Sequence, residues 1–100
     1  MTNALSAARA YGVGVRFADL GDWGESELRS EYDPAVPEIR LNLRVAGALT
    51  PAELGEFVAM AVGHELYHHR ESIGEVPRVG NRQARESAAD AYARAFMERA

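Results

Sequence analysis

His64-Glu65-Leu66-Tyr67-His68 places two histidines four residues apart, with a glutamate directly after the first. On an α-helix, residues at that spacing sit about 40° apart around the axis and one turn apart along it. Two imidazoles so arranged converge on one ion, which is the logic of an H-E-x-x-H zinc site. Glu65 is rotated by about 100° from His64. It can approach a water at the ion without taking a ligand position, where a general base must stand. Catalytic zinc takes three protein ligands and keeps one position open. The chain has no cysteine, so thiolate sites, cysteine nucleophiles and disulfides are excluded and the third ligand must be His, Asp or Glu. Glu86 is the best candidate, lying beyond a Gly/Pro loop near the start of another helix. Asp90 follows one turn later on the same face. It is suited to accept the Nδ1–H of a ligand histidine and so fix its tautomer, and we assign it to His64. The plainer readings are a first-turn glutamate favoured by the helix dipole and a solvated helix carboxylate. His69 points about 100° away from His68 and reads as a surface or rim residue. Tyr32, Tyr67 and Tyr92 are each compatible with core or surface, so no oxyanion-stabilising residue is assigned.

These side chains need two helices and something to hold them. Thr50-Pro51-Ala52-Glu53 is a helix start: Thr50 caps, Pro51 suits the first helical position and Glu53 completes a capping box. Leu54, Phe57, Val58, Ala61, Val62 and Leu66 follow at helical spacing, so this helix should run to about Glu71. Gly74, Pro77 and Gly80 make residues 73–81 a loop. A last helix should run from about Arg82 toward Ala100, with Ala89 and Ala93 letting it lie close to a neighbour. Upstream, residues from about Asn3 to Ala10 read as a short helix with Leu5 and Ala8 inward, ended by Gly12. Val13, Val15 and Phe17 alternate with Gly14 and Arg16 as a half-buried strand. Gly21 to Gly24 punctuates the chain. Leu28, Ser30 and Tyr32 suggest a weaker second strand, and Asp33-Pro34 opens a turn. Ile39, Leu41 and Leu43 alternate with Arg40 and Asn42 as a third strand. Short connections predict a small, mostly antiparallel sheet. The fold class is α+β, in one domain over residues 1–100.

Composition narrows the function classes. Of 100 residues 47% are apolar, but many are alanine, so a bound metal could support folding as well as chemistry. The net charge of −4 supplies no basic field for phosphates, which argues against direct nucleic-acid binding. Residues 1–10 lack a basic segment followed by an apolar run, so no signal peptide is expected there, and no apolar run is long enough to span a bilayer. A cytoplasmic location without membrane attachment is the expectation.

With these residues in view, the chain resembles the ImmA/IrrE-type metallopeptidases, gluzincins of the zincin group. His64-Glu65-Leu66-Tyr67-His68-His69 is similar to that family's active-site helix. Arg85-Glu86-Ser87-Ala88-Ala89-Asp90-Ala91-Tyr92-Ala93 is similar to its glutamate helix. Ala8-Arg9-Ala10-Tyr11-Gly12-Val13-Gly14-Val15 resembles its opening helix and strand. Tyr32-Asp33-Pro34 followed by Ile39-Arg40-Leu41-Asn42 resembles its hairpin into an edge strand. The resemblance implies a zincin-like fold and hydrolysis of a cytoplasmic protein, often a repressor encoded nearby. It also implies that some relatives act without proteolysis. Two departures stand out. Tyr67 occupies a position where the family often has glycine, and longer members continue past the glutamate helix, where this chain stops at Ala100.

The expectation is a zinc metalloendopeptidase with ligands His64, His68 and Glu86. Glu65 takes a proton from the attacking water and later delivers it to the leaving amine. An extended peptide substrate is expected along the strand Ile39, Arg40, Leu41, Asn42 and Leu43 as an added edge. The alternatives are a regulator that binds its partner without cutting it, and a structural zinc domain closed by a fourth protein ligand.

Overall fold

The computed structural model describes residues 3–22 and 28–98. The chain forms α1 (Ala4–Ala10), β1 (Gly14–Ala18), β2 (Ser30–Asp33), β3 (Glu38–Asn42), α2 (Leu43–Ala46), α3 (Pro51–Ser72) and α4 (Arg82–Glu98). It is an α+β arrangement with a three-stranded sheet. Among the described residues, no helix is long and apolar enough to cross a membrane.

The first helix is capped by Asn3 and Ser6, each side chain accepting from the other's backbone N–H. Its inward stripe is Ala4, Ala7 and Ala8, at the i, i+3, i+4 positions. Leu5, expected inward, is 49% exposed. It lies about 100° from Ala4, off a stripe made of small residues that seat α1 closely against α3.

The sheet differs from the expectation in two ways. Its order is β1-β3-β2, with β1 parallel and β2 antiparallel to β3, so the sheet is mixed rather than mostly antiparallel. The tight connection after Asp33-Pro34 makes β2 and β3 a hairpin. The longer connection from β1 to β2 lets β3 enter between them. As a consequence the strand Ile39, Arg40, Leu41, Asn42 and Leu43 is not an edge. Ile39 and Leu41 are at most 1% exposed, and this most apolar strand takes the centre, paired on both sides. Leu43 has left the strand: it opens α2 with its side chain half out in solvent. The sheet edges are β1 and β2.

Asn42 explains the switch from strand to helix. Its side chain caps α2 by accepting from Arg44 N–H and also accepts from Leu20 N–H. Its amide donates to the carbonyls of Gly21 and Leu28. A buried polar side chain with donor and acceptor both used is a staple. It fixes Leu28 ahead of β2, and with it the approach to Ser30.

The start of α3 has the expected capping box, with Thr50 Oγ1 accepting from Glu53 N–H and Glu53 accepting from Thr50 N–H. Phe57, Ala61, Val62 and Leu66 are buried in the core. Asn81 caps α4 through Ala84 N–H. Ala89 and Ala93 are fully buried. A Cβ added to Gly63 would lie 2.8 Å from Ala93 Cα, so the two helices approach to within what glycine alone allows.

Candidate metal centre

That close approach sets the chemistry. Gly63 precedes His64, so α4 lies directly over the H-E-x-x-H turn. Glu86 and Asp90, one turn apart on α4, meet the two nitrogens of the same imidazole. Asp90 Oδ1 is 2.7 Å from His64 Nδ1, and Glu86 Oε2 is 2.8 Å from His64 Nε2. On the next turn of α3, His68 Nδ1 is 2.8 Å from Glu71 Oε1. Glu71 offers His68 only acceptor oxygens, so His68 Nδ1 carries the hydrogen and its Nε2 keeps a lone pair, whereas His64 has a carboxylate oxygen at each of its two nitrogens. The two Nε2 atoms face each other. The Nε2 atoms are 3.3 Å apart, and Glu86 Oε1 is 3.6 Å from that of His68.

The donor set fits a small, borderline-soft cation. Zinc–nitrogen distances of about 2.0–2.1 Å imply ligand atoms about 3.3–3.4 Å apart around a tetrahedral ion. The separations of 2.8, 3.3 and 3.6 Å bracket that value. Two imidazole nitrogens and a carboxylate that face one another this closely need a proton or a cation between them. His64, Glu65 and His68 also offer ligand atoms within 4.8 Å of one another, so they could hold a metal ion. Glu65 is 7% exposed, and its Oε2 accepts a 2.6 Å hydrogen bond from Ser30 Oγ on β2. One carboxylate oxygen is thus tied to the sheet while the group stays beside the histidines.

The site opens into a cleft of about 410 Å³. Its walls are Leu28, Arg29 and Ser30 on one side and Phe57, Met60 and Ala61 on the other, with Glu65, His64, Glu86 and Asp90 along it. The strand at this cleft is β2. Ser30 and Tyr32 alternate toward α3, while Glu31 and Asp33 face the outward Arg40.

Several residues here lie outside the sequence expectation. Ser30 was read only as part of a strand, and a lone serine gives no positional signal. Glu71 and Arg85 were unassigned. Glu71 sits three residues after His68, so it faces the same way, and that spacing was a usable signal. Arg85 grips Glu71 through Nε to Oε2 and Nη2 to Oε1, both 3.1 Å. Arg85 holds the Glu71 carboxyl below the usual range, against the burial that would raise it, and His68 adds to the lowering.

His69 is not a rim residue. It is 6% exposed, with Nδ1 2.7 Å from the Tyr32 hydroxyl and edge contacts to the Tyr11 and Tyr32 rings. The 100° rotation away from His68 turns it toward the sheet rather than toward water. Burial pushes its pKa down, partly opposed by Glu75. The Tyr32 hydroxyl is thereby engaged away from His64 and His68. Tyr67 packs against Tyr92 and along His68. No protein-family model, no curated protein and no solved structure matches the chain.

Proposed function

We propose that the chain is a zinc-dependent metalloendopeptidase of zincin-like design, with His64, His68 and Glu86 as ligands and Glu65 as general base. The carrying observation is the convergence of two Nε2 atoms, 3.3 Å apart, on a Glu86 carboxylate, with Glu65 held beside them. Zinc held by these residues would supply a Lewis acid for the scissile carbonyl and lower the pKa of a water toward about 7.

The protein's own groups do the rest. Asp90 and Glu71 hold the histidines with Nε2 inward. Ser30 pins Glu65 Oε2, which leaves Oε1 to take the proton of the attacking water. Glu65 then returns that proton to the amine as the C–N bond breaks. The cleft along Leu28–Ser30 favours β2 as the strand to which an extended peptide adds, with apolar side chains against Phe57 and Met60. The resemblance in the active-site and glutamate helices points to a cytoplasmic protein substrate, such as a repressor encoded nearby.

The test is incubation of zinc-loaded protein with the product of each regulator gene neighbouring its own, with and without chelator. Cleavage at one site, lost in Glu65→Gln and on chelation, is expected. Suppose instead that a neighbour binds tightly and stays intact under all metal conditions, and that Glu65→Gln regulates it equally in cells. The chain is then a binding regulator built on the same scaffold.

A further inference from the structure

Glu71 is an unusual place for a carboxylate. Its side chain is 2% exposed, in the last turn of α3, where the helix dipole disfavours negative charge. Burying a carboxylate is unfavourable unless it is paired and fully hydrogen-bonded. Here it is both: Oε1 accepts from His68 Nδ1 and from Arg85 Nη2, and Oε2 accepts from Arg85 Nε. This is the bidentate fork that lysine could not reproduce. Arg85 immediately precedes Glu86 in the chain, on the first turn of α4. The guanidinium therefore ties the end of α3 to the start of α4 at the point where the two helices contribute different ligands.

We infer that Glu71 and Arg85 act jointly as positioning residues of the metal centre. Glu71 fixes His68 with Nδ1 protonated and Nε2 free. Arg85 fixes Glu71 and, through the adjoining backbone, the approach of Glu86. The inference rests on the ligand assignment above, but it makes a claim that needs no metal: the His68 tautomer is set by Glu71. His64 is served separately, by Asp90 Oδ1 at its Nδ1. The two histidines are thus held by different devices, and the His68 device also reaches the third ligand.

The test uses the full chain with ¹⁵N-labelled histidine. In metal-free protein near pH 8, where free imidazole is neutral, long-range ¹H–¹⁵N spectra should show His68 as the Nδ1–H tautomer. Glu71→Met, close in shape but without an acceptor, should move His68 toward the Nε2–H form. It should also lower zinc affinity about 10–100-fold, the usual effect of losing a histidine's hydrogen-bond partner. Glu71→Gln keeps an oxygen acceptor and should retain the tautomer with a smaller loss. It also serves as the informative variant if Glu71→Met fails to fold by circular dichroism: a Glu71→Gln protein with wild-type zinc affinity then overturns the inference. Arg85→Met should lower affinity about tenfold, and Glu71→Met/Arg85→Met should lose less than the product of the single losses. An unchanged His68 tautomer with zinc affinity within about twofold of wild type in Glu71→Met overturns the positioning role. Losses that simply multiply overturn the joint action. If wild-type protein takes up no zinc, the ligand assignment has failed, and the tautomer spectra alone decide whether Glu71 orders His68.

Discussion

Gly63→Ala is the smallest change that should separate the proposed metal centre from the fold. The added Cβ would meet Ala93 Cα at 2.8 Å, Ala93 Cβ at 2.9 Å and Phe96 Cδ2 at 3.4 Å. Ordinary carbon–carbon contact lies at about 3.5–4.0 Å. The two closest atoms are backbone and Cβ of α4, so no rotamer relieves the clash. The helix itself must retreat by about 0.7 Å or more. Glu86 and Asp90 ride on that helix, at 2.8 and 2.7 Å from His64, whereas a metal site tolerates misplacement of only about 0.5 Å. Zinc affinity is therefore expected to fall at least about tenfold. Stability responds less: alanine gains about 1 kcal/mol of helix propensity over glycine, and overpacking costs about 1–3 kcal/mol. The net loss should lie between about zero and 2 kcal/mol. Gly55→Ala is the control, because its Cβ meets nothing within 4 Å on the same helix. It should stabilise by about 0.5–1 kcal/mol and leave zinc affinity unchanged. Chelator competition and urea unfolding of the metal-free proteins supply both numbers. A Gly63→Ala protein that behaves like Gly55→Ala in both assays would refute the close-packing argument.

Four further outcomes are expected. Wild-type protein should bind about one zinc per chain; His64→Ala and His68→Ala should lose most of it and Glu86→Ala much of it. Stoichiometric zinc in the His64→Ala/His68→Ala double variant would remove the assignment. Asp90→Ala should lower zinc affinity about 10–100-fold, and an unchanged affinity would return Asp90 to being a solvated carboxylate. His69 has its pKa depressed by burial, so below about pH 6.5 the unfolded chain takes up a proton that the folded chain refuses. Metal-free stability should therefore fall with acidification from about pH 6.5 toward the lower folded pKa, by up to about 1.4 kcal/mol per pH unit. His69→Phe should lack that component, and equal slopes in the two proteins would contradict it. Finally, the proposed ligands divide two on α3 and one on α4, so chelation should speed amide exchange in α4 more than in α3; equal changes would break the link between metal and α4 docking.

The parts of the site readable in the sequence are those that helical geometry turns into direction. Spacing of four put His64 and His68 on one face, and the same spacing put Glu86 and Asp90 on another. The capping box at Thr50 located the start of the helix that carries the first pair. Strand alternation worked differently. It told which side chains of Ile39–Asn42 share a face, but not which strands lie alongside. The sheet order β1-β3-β2, and with it the loss of Ile39–Leu43 as an edge, is a matter of which strands pair. A period-two pattern holds no information on that.

His69 marks the same boundary at one residue. Its rotation away from His68 was right, but rotation says nothing of what occupies the space it enters. Tyr11 and Tyr32 arrive there from distant segments. Glu71 is the opposite case, because H-x-x-E on a helix already places a carboxylate over the turn that carries His68. What was missing was a reason for a buried acid to stay there. Arg85 supplies it, and only the packing of α4 on Gly63 brings Arg85 within reach. A glycine whose value lies in its partner's backbone leaves no trace in its own periodicity. The element that decides the geometry of this centre is therefore the one least visible in the sequence.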